Sequence, residues 1–592
     1  MNSMKKINAY MQLLLLSVVL LSISCTGDFE NMNRNPNEVT DGQMDALNYK
    51  IGTKFQSLQG LVVPVQEHMY QFNESLSGGP FGGYIGATVD SWLTKFETFN
   101  PSADWRKWPF ANVITETYTP WRGIVTGTDD EVAVAFAKLL RVAIMHRVTD
   151  SYGPIPYSNL ETNESITVKY DKQEEVYMKM FGELDEAIAA FAANTTLPAE
   201  AFSRYDRVYG GNIAQWLKYA NSLKLRMAMR LSEVKPDVAR TKAAEAIAAG
   251  VITANADNAA MHAAENRTTL IYNDWGDHRV GADILCYMTG YEDPRLEKMF
   301  LPNDKGDYVG IRIGIDVTSK SQAQAKYSNM IVTSSTPYLW INAAEVAFLK
   351  AEYELRWGTK DAAKALYEQA IRLSFEDKGA KDADAYIADK TRKPAAYNDP
   401  LGNYSATALS SITIAWEDDS AEGADKAAIK ERNLERIITQ KWIAIFPLGV
   451  EAWSEHRRGR GKGSHAPCPH GARLVHFACH YGIELAVAAL HDVADLTVLV
   501  HVDRLGHLIG FGVDHRDLVA VADHDVFPVL DHVRVARSVD ADCAVCGVDR
   551  RERIHPVRGD LQHADAGFIA RRGRVVQDVE LAGIDDLQIV DF

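Results

Sequence analysis

Residues 344–371 constrain the fold of this 592-residue chain more than any other stretch. Ala344, Ala347, Phe348, Ala351 and Leu355 recur at helical spacing and stop before Gly358. Ala363, Leu366, Tyr367, Ala370 and Ile371 then take up the same period at once. Two amphipathic helices joined by Trp357-Gly358-Thr359-Lys360, with small residues at the positions of closest approach, predict a hairpin of the tetratricopeptide type. One such pair leaves an apolar face open to water, so several pairs must stack for the face to be buried.

The same period recurs upstream. Val132, Ala135, Phe136, Leu139 and Ala143 follow an acidic start, Asp129-Asp130-Glu131, of the kind that the positive end of a helix dipole favours. Tyr177, Met180, Phe181, Leu184, Ile188 and Phe191 form a second stripe. Trp216, Tyr219, Ala220, Leu223 and Met227 form a third, behind an Asn212-Ile-Ala-Gln215 start that resembles a capping box. Together these predict an all-α body of about four irregular hairpins, with long loops carrying specificity. Through residue 455 the only cysteines are Cys25 and Cys286, so no disulfide framework supports that body and a large packed core must. The formal net charge of −16 argues against nucleic acid or anionic lipid as partner.

The N-terminus gives the address. Lys5 and Lys6 precede an eleven-residue run, Leu13 to Ile23, too short to span a bilayer as a helix but suited to a secretory signal. Ser24 before Cys25 looks like a lipobox, which makes residues 1–24 a signal peptide and Cys25 the lipidated first residue of the mature chain. Several acyl chains anchor stably, at about 0.8 kcal/mol per buried CH₂. Residues 25–40, polar and turn-rich, read as a flexible tether.

From about 25 to 456, with the α-helical binding domain expected over 41–456, a family resemblance accumulates. Arg147-Val-Thr-Asp150-Ser-Tyr152-Gly153-Pro154-Ile155-Pro156-Tyr157-Ser158 is similar to a signature of the SusD/RagB outer-membrane nutrient-binding lipoproteins. Asn35-Pro36-Asn37, Trp216 to Leu231, Asp293-Pro294-Arg295-Leu296, Thr336-Pro337-Tyr338 and Glu435 to Trp453 resemble further stretches of that family, in order. On physical grounds Pro154 and Pro156 simply stop a helix and fix an extended turn. The resemblance implies a cell-surface lipoprotein of the outer membrane that captures a nutrient, usually a glycan, as the lid of a SusC-like TonB-dependent barrel transporter. It implies a binder and not an enzyme; the residues themselves assign no cofactor and no metal site, and acidic loops abound without an EF-hand pattern. The chain agrees in carrying no Gly-x-Ser-x-Gly elbow, His-Glu-x-x-His, Gly-x-Gly-x-x-Gly or Walker A pattern. A helical-repeat adaptor for protein or peptide is the alternative, followed by a zinc hydrolase built on the tail.

Glycan capture needs flat aromatic faces with amides and carboxylates beside them. Tyr84, Trp92, Asn100, Trp105 and Trp108 fall in one stretch of that composition, Trp275 in a second and Trp416 in a third. All are candidate ligand residues. Trp216, Trp340, Trp442 and Trp453 lie on helical stripes and are expected in the core, whereas His68, His146, His262 and His278 are expected to pack or lie on the surface.

From 457 to 592 the composition changes. Asparagine, methionine and tryptophan vanish, one lysine (Lys462) stands against fifteen arginines, and thirteen of seventeen histidines fall from His456 onward. Cys543 and Cys546 with His532 and His555, or Cys468 and Cys479 among His465, His470, His476 and His480, would be zinc ligands on a metal-domain reading. No second motif stands at regular spacing, and the residues lost have A-rich codons. That bias is expected of GC-rich DNA read out of frame, so the tail is read as a frameshift or fusion product. The lipid anchor is tested by Cys25→Ser, expected to shift the protein from the detergent to the aqueous phase on partition; retention in detergent would refute lipidation at Cys25.

Overall fold

The computed structural model describes residues 10–11, 48–161, 167–194, 203–458, 495–501 and 508–514. Apart from residues 10–11 the signal peptide lies outside the described residues, as do Cys25, the tether and the cysteines and histidines considered for zinc. Four antiparallel helix pairs form the body: α1 (Tyr49–Val62) with α2 (Val113–Val125), α3 (Glu131–Tyr152) with α4 (Gln173–Ala193), α5 (Ile213–Arg230) with α6 (Pro236–Ala249), and, after α7 (Ala282–Gly290), α8 (Ala343–Trp357) with α9 (Lys360–Lys378). Each pair packs on the next, and α10 (Lys426–Ala444) closes the row against α8 and α9. The last described helix of the body, α11 (Gly449–Arg458), runs two residues past the boundary expected at 456. Among the described residues no helix is long and apolar enough to cross a membrane.

Local chemistry explains the helix ends. Asp130 caps α3 by accepting from the Val132 amide at 2.9 Å, and Gly153, at φ 73°, ends it before Pro154. Asn212 caps α5 through the Gln215 amide, but the Gln215 side chain turns away to Ala256 and Asp257, so only half of the expected capping box forms. Asn342 and Thr359 cap the two helices of the α8–α9 hairpin. The stripes read from sequence all point inward. Phe136, Leu139, Met180, Leu184, Trp216, Leu223, Phe348, Tyr367 and Ile371 are fully buried in one continuous core with Trp442; Trp340 is buried there too, but it stands on a short strand, Tyr338–Ile341, and not on the helical stripe expected of it.

Short antiparallel ribbons trim the array: β1 (Ile85–Ala87) with β3 (His278–Val280), β2 (Ala259–Met261) with β6 (Tyr338–Ile341), and β4 (Phe300–Leu301) with β5 (Asn329–Met330). In the tail β7 (Asp495–His501) pairs with β8 (Leu508–Asp514).

Beneath α11 lies a buried ionic network. Arg230 of α5 meets Asp150 of α3 at 3.1 Å and Glu451 of α11 at 2.6 Å, and it also pairs with Glu455. Lys441 of α10 pairs with Glu455 as well, while Arg458 joins Glu455 at 2.6 Å and Glu352 of α8 at 2.7 Å. Attraction to Arg230, Arg226 and Lys441 outweighs burial and holds the Glu451 carboxyl at about 2, against an ordinary 4.5. A carboxyl lowered in this way stabilises the fold above its unfolded value, and that contribution is lost as pH falls from 4.5 toward 2. Arg230→Met removes the cation shared by Asp150, Glu451 and Glu455, leaving Glu455 to Lys441 and Arg458 and Glu451 to Arg226, and is expected to cost about 3–5 kcal/mol in denaturant unfolding. A loss below about 1 kcal/mol would mean that the network carries little of the stability.

Candidate ligand-binding site

The site begins where the chain between α1 and α2 leaves regular geometry. A short helix, Glu67–Tyr70, passes into a π-helical stretch, Gln71–Gly78. Two more π-helical turns, Trp108–Asn112 and Leu270–Asp274, stand in the two segments that meet it through aromatic contacts. Such turns concentrate at functional sites because they re-aim side chains without breaking the helix. Here they turn aromatic rings outward. The Phe72 ring lies parallel to Trp108 at 5.3 Å and edge-on to Trp105 at 5.6 Å. Trp105 in turn meets Trp92 edge-on at 5.2 Å. One helical turn before Phe72, the imidazole of His68 stacks on Trp275 at 5.4 Å. Trp275, Phe72, Trp108, Trp105 and Trp92 are half-buried and His68 is exposed, so the rings form a ridge that is fixed from below and open above.

Polar contacts hold the arms of this ridge in register. β1 pairs with β3, and the Thr88 amide donates to the Asp277 carbonyl at 2.8 Å. The Asp277 carboxylate accepts from Lys320 Nζ at 2.5 Å and from Gln71 Nε2 at 3.1 Å. The Lys320 amide donates to Asp90 at 3.3 Å, which ties the Trp92 arm to the same cluster. Glu67 forms a two-point contact with Arg267 at 2.6 and 2.8 Å, and these hydrogen bonds draw its carboxyl down to about 2. Asn273, Asp274 and Asp104 are exposed along the rim, placed to meet hydroxyl groups.

Four of the seven candidates therefore come together: Trp92, Trp105, Trp108 and Trp275. Tyr84 does not join them. It is fully buried, stacks on Trp442 at 5.5 Å and donates to the Trp442 carbonyl, so it belongs to the core. Asn100 is exposed, but its side chain serves its own loop: Oδ1 accepts from the Lys95 amide at 3.1 Å and from Thr98 at 2.6 Å, and Nδ2 donates to Leu93 O. Trp416 lies away from the ridge and packs on Tyr367 at 5.5 Å, while the neighbouring Glu417 is bound by Arg432 and Arg436. Trp453, expected in the core, is half-buried and packs on Phe81 at 5.0 Å.

Phe72 escaped the sequence reading, although it is the ring on which Trp105 and Trp108 converge, and His68 reads there only as a packing or surface residue. The only trace of them in sequence is their spacing of four beside an amide-rich run, Gln71-Phe72-Asn73.

His278 sits beneath the ridge, fully buried, near Trp92 at 6.0 Å and Tyr272 at 6.2 Å. Because Gln71 Nε2 already donates to a carboxylate, its contact to His278 Nε2 at 3.3 Å makes that ring nitrogen the acceptor and leaves the proton on Nδ1. Nδ1 has no partner among the described residues, and burial lowers this histidine from 6.5 to about 4.

Such an array of fixed, outward aromatic rings on stacked helix pairs defines a ligand-binding protein of the helical-repeat class. Residues 31–461 match the SusD-like family, described as SusD and RagB outer membrane lipoproteins. The chain belongs to that family, which makes it a binding protein and not an enzyme. Solved structures agree. A SusD homologue from Bacteroides thetaiotaomicron is 49% identical, with a TM-score of 0.65, over 69% of this chain and 85% of its own. One from Bacteroides uniformis is 40% identical, with a TM-score of 0.64, over 69% and 86%. A chitin-binding SusD homologue from Flavobacterium johnsoniae is 34% identical, with a TM-score of 0.62, over 69% and 86%. A comparison with curated protein sequences gives no match.

Neutral His278 has a measurable consequence. Between 6.5 and about 4 the unfolded imidazole binds a proton that the folded one refuses, so stability falls as pH drops through that window. The loss is about 3 kcal/mol across it. His278→Gln is expected to remove that part of the pH dependence of thermal unfolding; an unchanged profile would show that His278 protonates freely in the fold.

Proposed function

We propose that this lipoprotein captures an oligo- or polysaccharide at the cell surface and delivers it to a SusC-like TonB-dependent barrel transporter, held at the outer membrane by lipid on Cys25. The observation that carries the reading is the ridge of Trp275, His68, Phe72, Trp108, Trp105 and Trp92, with neighbouring rings 5.2–5.6 Å apart where they touch. Aromatic faces match the CH surfaces of sugar rings, while the rim amides and carboxylates match the hydroxyls. The chitin-binding relative supports a glycan as ligand and makes chito-oligosaccharides the first probes. A protein-binding adaptor, the alternative, would show no affinity for any soluble glycan.

The test is direct. Calorimetric titration with chito-, malto- and xylo-oligosaccharides is expected to find a ligand for the parent protein. Trp105→Ala and Trp275→Ala should each weaken it about tenfold, or about 1.4 kcal/mol, with thermal unfolding unchanged. Equal affinity of parent and both variants would remove the ridge as the site. Recovery from native outer membranes without a barrel transporter in near-equal amount would refute the delivery step.

A further inference from the structure

Phe99 is the one bulky hydrophobic residue among the described residues held in the left-handed backbone region, at φ 59°. Glycine fills such a position without steric cost, and a phenylalanine there is a true outlier. Strain of this kind persists only where the surroundings impose it, and it gathers at ligand-contact positions. The surroundings do impose it. The Phe99 amide donates to Phe96 O at 2.9 Å, the Asn100 amide to Lys95 O at 3.2 Å, and the Asn100 side chain closes the turn against Lys95, Thr98 and Leu93. Below, Lys95 pairs with Glu97 at 3.2 Å in a buried contact, and Glu97 accepts from the Ala87 amide at 3.1 Å.

The result is a rigid loop that pushes apolar groups into water. Leu93 is 84% exposed and Phe99 56% exposed, its ring lying nearly parallel to Phe81 at 5.6 Å. An unstrained loop with a glycine at 99 would close the same turn, so closure of the turn does not account for the ring. The position of the loop does. Its two feet, Trp92 and Trp105, are the end of the aromatic ridge, and they touch each other.

We propose that Phe99, with Leu93 of the same loop, forms an outer subsite that stacks a sugar residue lying beyond those held on the ridge. The inference rests on the glycan-capture reading and adds to it a preference for long chains over short ones. Asn100 then acts as a positioning residue that fixes the ring outward, which gives this residue a part in binding without contact to the ligand.

The experiment compares the dimer and hexamer of chito-, malto- and xylo-oligosaccharides on the full chain, by calorimetry. In Phe99→Gly the ratio of hexamer to dimer affinity is expected to fall about five- to tenfold. Its thermal midpoint should stay at or above that of the parent, because glycine relieves the left-handed strain. Trp105→Ala, in contrast, should weaken both lengths. An unchanged ratio in Phe99→Gly, with Trp105→Ala still impaired, overturns the outer subsite and leaves the ridge standing. A midpoint several degrees lower in Phe99→Gly also overturns it, because the ring is then a packing residue. A parent protein that binds none of the six sugars overturns the glycan reading and the subsite together.

Discussion

The buried ionic contacts around Glu451, Glu455 and Arg230 are the constraint on which the rest of the structure depends. Through them α11 reaches α3, α5, α8 and α10 at once, so helices far apart in sequence share one set of electrostatic partners. Charges so deep are costly to desolvate, and they hold only because each finds a partner within hydrogen-bond distance. A row of helix pairs buried by apolar stripes alone is free to slide; a network with fixed directions selects one register. The same helix sets the ligand site. The Glu74 carboxylate, in the π-helical stretch that carries Phe72, accepts from the Val450 amide at 3.2 Å and pairs with Arg147 of α3.

Close backbone contact completes that link. A Cβ on Gly449 would lie 2.3 Å from the Gly79 nitrogen, and one on Gly78 would lie 2.3 Å from the Val450 nitrogen. The glycines permit the approach that carries Phe72 and, beyond it, the tryptophans of the loop to their places. The site is thus rigid for two reasons, backbone contact with α11 from below and the cluster of Asp277, Lys320 and Gln71 across the arms. Rings held in this way lose little freedom when a ligand stacks on them, and preorganisation of that kind favours binding.

Much of the site was visible in sequence because loop composition is a local property. Trp92, Trp105 and Trp108 stand among glycines, amides and carboxylates, and a tryptophan there has few ways to be buried. Tyr84 shows the limit of the same reasoning. Gly78-Gly-Pro-Phe81-Gly-Gly-Tyr84 has the composition of a mobile loop, yet its glycines serve contact with a helix more than 360 residues away, and the tyrosine beside them packs against Trp442. Phe72 was hidden for a different reason, since a lone phenylalanine between two amides is far from any tryptophan in sequence, and only the tertiary structure brings Trp105 and Trp108 onto it.

What the sequence determined by itself is the apolar faces of α3, α4, α5, α8 and α9, the starts of α3 and α5, and the family, because periodicity, capping residues and motif order are all local; α1, α2, α6 and α7 carried no stripe in that reading. The tertiary structure alone decided which polar groups lie inside and which aromatic rings lie outside. Arg230, Glu451 and Glu455 read as a solvated face when taken singly, and only the packing of five helices makes them partners. Trp275 and Trp92 are separated by 183 positions, and what joins them is the β1–β3 pairing beneath. Contacts over such distances depend on how the surfaces of the helices and ribbons fit, and no local pattern of residues encodes that fit.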